Sequence, residues 1–109
     1  MIRGEVWTVS GGSGYAGKPR PCVIVRSNRF SDFAAVTYCP FTSFEAGYQE
    51  LRPEIAPSST NGLRAASFLM VDKITSLAFE KLGKRIGRLD DADLARVDRA
   101  LLLYLDLLA

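Results

Sequence analysis

The chain has 109 residues, 48% of them apolar and 24% charged, with a formal net charge of +2, which is the composition of a single globular domain spanning residues 1–109. Histidine is absent and the two cysteines, Cys22 and Cys39, form no CxxC pair, which excludes zinc-finger spacings and every catalytic set built on imidazole. The charge is uneven: Arg3, Lys18, Arg20, Arg26 and Arg29 face only Glu5 in the first 29 residues, so the amino-terminal third is the basic part.

Glu5 to Val9 reads as a short strand of β-forming residues that the Ser10–Gly14 cluster stops. After that flexible loop, Pro19 and Pro21 lead into Cys22-Val23-Ile24-Val25, an apolar run without polar alternation and therefore a strand buried on both faces. Further strands are expected at Phe33 to Tyr38, Tyr48 to Leu51 and Ser67 to Val71, with turns at Asn28 to Ser31 and Pro57 to Gly62. Trp7, Phe33 and Phe68 lie in strand runs and are expected in the core.

The carboxyl end predicts a helix, because Leu94, Val97, Leu101, Tyr104, Leu105 and Leu108 recur at three- and four-residue steps. Asp90 suits the N-cap, with Leu89 and Leu94 at the two places of a hydrophobic staple. Leu103 and Leu107 point away from the main stripe, so the helix is apolar on two sides. Either the domain wraps it or a second chain covers it, and for so small a domain a second chain is the expectation. The longest apolar run, Ala100 to Leu105, is far short of the roughly 20 residues of a membrane span, and the first residues do not read as a signal peptide, so a cytoplasmic protein with no membrane partner is expected.

Several motifs carry less than their pattern suggests. Gly12-Ser13-Gly14-Tyr15-Ala16-Gly17 matches the GxGxxG dinucleotide pattern and overlaps a partial P-loop, but Pro19-Arg20-Pro21 disfavours the helix whose N-terminus must receive the phosphates. Asp90, Asp91 and Asp93 read as capping and dipole charges at a helix start rather than a metal cluster, so no metal or cofactor is expected. Lys18 and Arg20, at the stiff base of a Gly-rich loop, can place a guanidinium fork on a phosphate. Tyr15 and Phe44 lie in or beside loops, where an aromatic ring can stack on a base.

Taken in order, Arg3-Gly4-Glu5-Val6-Trp7, Lys18-Pro19-Arg20-Pro21-Cys22-Val23-Ile24-Val25, Pro40-Phe41-Thr42-Ser43, Val71-Asp72-Lys73-Ile74 and Leu82 to Leu89 give a chain that resembles the MazF/PemK toxins of bacterial type II toxin-antitoxin systems. The resemblance implies an α+β, mainly β fold: a small SH3-like β-barrel of the CcdB/MazF/Kid kind with a C-terminal helix. It also implies a homodimer that acts as a sequence-specific endoribonuclease on single-stranded RNA such as mRNA and is restrained by a cognate antitoxin. The same fold carries CcdB-like toxins that inhibit DNA gyrase and cleave nothing, so a non-enzymatic gyrase inhibitor is the alternative.

The resemblance places the catalytic pair at Arg20 and Thr42, in an Arg-Pro and a Thr-Ser motif. Without imidazole or a metal cluster, the simplest nucleophile is the one the substrate owns, the ribose 2′-hydroxyl. Arg20 would stabilise the charge that builds on phosphorus and Thr42 would hold the scissile phosphate. Tyr15, Lys18, Asn28, Ser43 and Phe44 are the candidate RNA-binding residues. The chain has no Asp or Glu between Glu5 and Asp32, where family members often carry an acid, and no proton acceptor is assigned.

Overall fold

A computed structural model describes residues 1–10 and 18–108. The Gly-rich loop and Tyr15 therefore lie outside the described residues. Strand β1 (Glu5–Ser10) pairs antiparallel with β2 (Pro19–Ile24), Trp7 opposite Cys22 and Val9 opposite Arg20. β2 pairs in turn with β3 (Ala35–Thr42), Cys22 opposite Pro40. Two short strands, β4 (Glu54–Ile55) and β5 (Ser67–Leu69), extend the sheet beyond the end of β3, while β6 (Thr75–Ala78) pairs with its start. β7 (Leu82–Arg88) closes the other edge against β1, and helix α1 (Asp91–Tyr104) follows. The sheet order is β4-β5-β3-β2-β1-β7, with β6 on β3.

Both faces of this curled sheet are apolar, which explains the unbroken Cys22–Val25 run. Cys22 and Ile24 join Val9, Val36 and Leu82 in one cluster; Val23 and Val25 join Val6, Cys39, Phe41, Ile55 and Leu69 in the other, against α1. Cys22 and Cys39 are buried free thiols assigned to different clusters. Burial pushes each up to about 12, so both stay protonated and neither serves as a thiolate nucleophile near neutrality.

Helix α1 starts as its sequence predicts. Asp90 Oδ1 accepts from the Asp93 amide at 2.8 Å, and Leu89, Leu94, Val97, Ala100 and Leu101 pack on the second cluster. It ends earlier than the apolar periodicity implies. Asp106 takes a left-handed φ of 59°, the Asp106 amide reaches the Leu103 carbonyl and the Leu107 amide the Leu102 carbonyl at 2.8 Å. This is a Schellman stop with aspartate in glycine's usual place. Leu105, Leu107 and Leu108 thus leave the helix and, with Leu102, Leu103 and Tyr104, form an exposed apolar end. No described helix is long and apolar enough to cross a membrane.

Three strand expectations are corrected. The third strand begins at Ala35 and runs on to Thr42, because Ser27 caps a 3-10 turn at Asn28–Phe30 and the Phe33 amide bonds back to the Phe30 carbonyl. Phe33 is consequently 63% exposed, its ring 5.4 Å from that of Phe30, and not in the core, whereas Trp7 and Phe68 are half-buried. Tyr48 to Leu51 is a turn, since the Leu51 and Arg52 amides both bond to the Tyr48 carbonyl. The fifth expected strand stops at Leu69, and Val71–Lys73 is a 3-10 turn.

β7 was hidden from pattern reading because Leu82-Gly83-Lys84-Arg85-Ile86-Gly87-Arg88 has little apolar alternation. Its glycines have a packing reason instead. A Cβ on Gly83 would collide with Thr8 Oγ1, the atom that accepts the Lys84 amide at 3.0 Å.

Candidate functional site

Two residues beyond the Cys22–Pro40 pair, β2 reaches Arg20 and β3 reaches Thr42. Both lie on neighbouring strands at the same end of the sheet, and strand alternation puts them on the face that carries Cys22, Ile24 and Val9. Arg20 is exposed and Thr42 half-buried. Thr42 ends β3 and its Oγ1 accepts the Phe44 amide at 3.2 Å, which occupies one lone pair and leaves the hydroxyl proton to be donated elsewhere. Lys18 precedes β2 and is exposed; Ser43 and Phe44 follow Thr42 and are exposed, Phe44 by 70%. Five of the seven residues named from sequence thus gather at one end. Tyr15 is outside the described residues. Asn28 lies beyond the opposite end of β2, where its Oδ1 accepts the Arg3 amide at 2.7 Å, so the fold does not bring it together with the others.

The connection after Thr42 is anchored by an ion pair that sequence reading did not single out. The Arg52 guanidinium grips Asp72 bidentately, Nε to Oδ1 and Nη2 to Oδ2, both at 2.9 Å and largely buried. Around it the Leu69 amide bonds to the Pro53 carbonyl, Val71 to Leu51 and Met70 to Pro40. The 43–53 segment is thereby tied to β5 and to the turn that follows it, which Met70 joins to β3. Nothing in the sequence links the two: Arg52 stands alone, and Asp72, twenty residues on, lies in the Val71-Asp72-Lys73-Ile74 motif without a stated role.

The hydrogen bond from Arg52 holds the Asp72 carboxyl below its ordinary range. Glu5 is also held low: burial pushes it up, but donation from the Ile2 amide and Trp7 Nε1 and the nearby Arg85 outweigh that. A carboxylate with a depressed native pKa contributes stability that is complete above its unfolded value, near 4, and is lost as pH falls through the native value. The melting temperature is therefore expected to drop as pH is lowered from about 5 to about 3. Asp72→Asn is expected to cost about 1–3 kcal/mol at pH 7 and to flatten that acid-side loss. An unchanged acid slope by thermal melting in this variant would remove Asp72 from the account.

On the other face of β2 lies a groove of about 560 Å³ lined by Thr8, Pro19, Pro21, Gly62, Leu63, Arg64, Ala65, Ser67, Lys84 and Ile86. Its position follows from strand alternation, since Pro19 and Pro21 flank Arg20 and Pro21 pairs with Thr8. Among the described residues no three Cys, Asp or Glu side chains converge as metal ligands. The chemistry on offer at this end of the sheet is that of a guanidinium, an ammonium and hydroxyls.

The family model for PemK-like, MazF-like toxins of type II toxin-antitoxin systems matches residues 2–105. The chain belongs to this family. Among relatives of the family, a probable endoribonuclease MazF of Mycolicibacterium smegmatis is 42% identical over 105 residues, covering 96% of each chain. Endoribonuclease MazF9 of Mycobacterium tuberculosis is 34% identical over 116 residues, covering 98% of each. Solved structures share the fold at lower identity. An endoribonuclease from a Mycobacterial species, in complex with its cognate antitoxin, superposes with a TM-score of 0.79 at 23% identity, over 100% of this chain and 98% of that one. A MazE-MazF structure from Deinococcus radiodurans gives 0.77 at 18% identity, over 97% and 96%. The MazF-like fold expected from sequence is thus the one observed: a mainly antiparallel, curled sheet with one C-terminal helix.

Proposed function

We propose that this MazF-like toxin is an endoribonuclease that cuts single-stranded RNA by attack of the ribose 2′-hydroxyl, without a metal. The observation that carries the reading is the placement of Arg20 and Thr42, 22 residues apart in sequence, each two residues beyond the Cys22–Pro40 pair at the same end of neighbouring strands. In this reading the 2′-hydroxyl gives up its proton to solvent as its oxygen bonds to phosphorus, and the P–O5′ bond breaks as the 5′-oxygen takes a proton from solvent, so an internal transfer with no net change in protons gives a 2′,3′-cyclic phosphate and a 5′-hydroxyl. Arg20 stabilises the extra negative charge on the phosphorane oxygens through its guanidinium fork. Thr42 donates its free hydroxyl proton to a phosphate oxygen, its orientation set by the Phe44 amide. Lys18 adds positive potential, and Ser43 and Phe44 meet the bases, Phe44 by stacking.

The likeness to two endoribonucleases of the MazF kind supports this reading over gyrase inhibition. We further propose a homodimer, because Leu102, Leu103, Tyr104, Leu105, Leu107 and Leu108 leave an apolar surface that a like chain would cover. An acidic antitoxin segment would then compete with RNA for the positive end of β2, in the cytoplasm. The test is incubation of purified protein with EDTA and long mixed-sequence RNA. Discrete fragments, silenced by saturating antitoxin, are expected; intact RNA across several substrates together with inhibited gyrase would overturn the reading.

A further inference from the structure

We propose that the groove behind β2 is a second RNA subsite, holding a nucleotide next to the cleaved one, with Arg64 and Lys84 on its flanking phosphates; this rests on the endoribonuclease reading above. At about 560 Å³ the groove falls within the size of sites that enclose small ligands. Its walls divide in the way a single-stranded nucleotide does. Pro19, Pro21 and Ile86 give flat apolar surface for a base or ribose, while Arg64 and Lys84, both exposed, supply the charge. No carboxylate stands among its described lining residues.

The groove is also held in shape before anything binds. Thr8 Oγ1 fixes the Lys84 amide and forbids a side chain at Gly83. Gly62, at a φ of 74°, brings the opposite wall so near that a Cβ would collide with the Ile86 carbonyl. A preformed site loses little ordering entropy on binding.

Position selects RNA over an acidic protein segment as occupant. Pro19 and Pro21 are the immediate neighbours of Arg20 and lie on the opposite face of β2, so the groove begins one residue away from Arg20. Ser67 on the far wall precedes Phe68, the partner of Thr42. The groove therefore continues the catalytic end on both sides. A strand of RNA carries a phosphate at each nucleotide and meets the cations in turn, so the groove adds affinity for substrates that extend beyond the cleaved step.

The test compares the wild-type protein with the Arg64→Gln/Lys84→Gln double variant on two RNAs: a long single strand that the wild type cuts, and a short one ending at the nucleotides that bear the scissile phosphate. The wild type is expected to cut the long RNA with higher kcat/KM than the short one, and the variant to lose that advantage. Binding of the long RNA with a 2′-deoxy nucleotide at the cut should show a salt dependence, log Kd against log salt, shallower by about 1.4 in the variant, for two phosphate contacts on a single strand. An undiminished advantage and an unchanged salt slope, with the wild type cutting normally, would overturn the subsite and leave the endoribonuclease reading intact. Loss of antitoxin affinity with RNA binding unaltered would assign the groove to an acidic protein instead. A wild type that neither cuts nor binds RNA would overturn both.

Discussion

Arg20→Ala is expected to lower RNA cleavage about 100-fold or more while the melting transition stays in place, the scale on which enzymes lose rate when one preorganised charge stabiliser is removed. The separation of the two readouts rests on exposure. Arg20 is exposed at the start of β2 and belongs to neither apolar cluster, whereas Cys22 and Ile24 of the same strand are fully buried. Replacing an exposed side chain outside the core costs about 0.5 kcal/mol, and giving up an exposed hydrogen bond or ion pair with it about 1 kcal/mol at most. Arg20→Lys is expected to recover only part of the rate, because an ammonium keeps the charge but not the planar fork that meets two phosphate oxygens. Thr42 offers a companion series: Thr42→Ser keeps the hydroxyl and should retain most activity, and Thr42→Val keeps the shape and should lose it. If circular dichroism and thermal melts show that any of these losses tracks a loss of folded protein, the catalytic assignment of that residue fails.

The legible parts of this fold were those where a local pattern and a tertiary environment agree. Cys22–Val25 has no polar alternation because both faces of β2 are covered, and Asp90 with Leu89 and Leu94 marks a helix start that tertiary packing then keeps. The illegible parts are those where the deciding partner is distant in the chain. Gly83 is small because Thr8 Oγ1 lies against it, and β7 is a strand because β1 needs a neighbour, neither of which leaves a trace in Leu82–Arg88 read alone. Phe33 satisfies β propensity but sits after a Ser27-capped turn that aims it outward. The end of α1 was set by an αL aspartate rather than by its apolar period, which separates Leu105 and Leu108 from the stripe they seemed to extend.

The site shows the same division. Arg20 and Thr42 could be named from short motifs carried by a family resemblance, and their place at the same end of neighbouring strands follows from the β2–β3 register, which no spacing rule gives. Asn28 was drawn in by its place in a turn, yet that turn serves to fix Arg3, whose guanidinium goes on to the Val25 carbonyl and to Asp98 of α1. Arg52 had no motif and Asp72 stood in Val71-Asp72-Lys73-Ile74 with no role attached, although the pair ties down the segment that carries Ser43 and Phe44.

Replacing the 2′-hydroxyl by hydrogen at the single nucleotide 5′ of the scissile phosphate is expected to abolish cutting and to leave binding nearly unchanged. An arginine is always protonated and a threonine hydroxyl is a weak nucleophile at its ordinary pKa; the two buried thiols, pushed up to about 12, are neutral. The substrate's own hydroxyl needs none of these as an attacking group, only alignment with the P–O5′ bond, and holding reactants in a near-attack geometry can supply several kcal/mol of the barrier. The deoxy substitution removes the attacking atom but keeps every phosphate for Arg20, Lys18 and Thr42 and every base edge for Ser43 and Phe44. Equal binding with no product, measured by filter retention and gel analysis, would fit that mechanism. A deoxy-substituted strand cut at a comparable rate would mean that water attacks phosphorus, that the products end in a linear phosphate, and that Arg20 and Thr42 serve a hydrolytic reaction rather than an internal transfer.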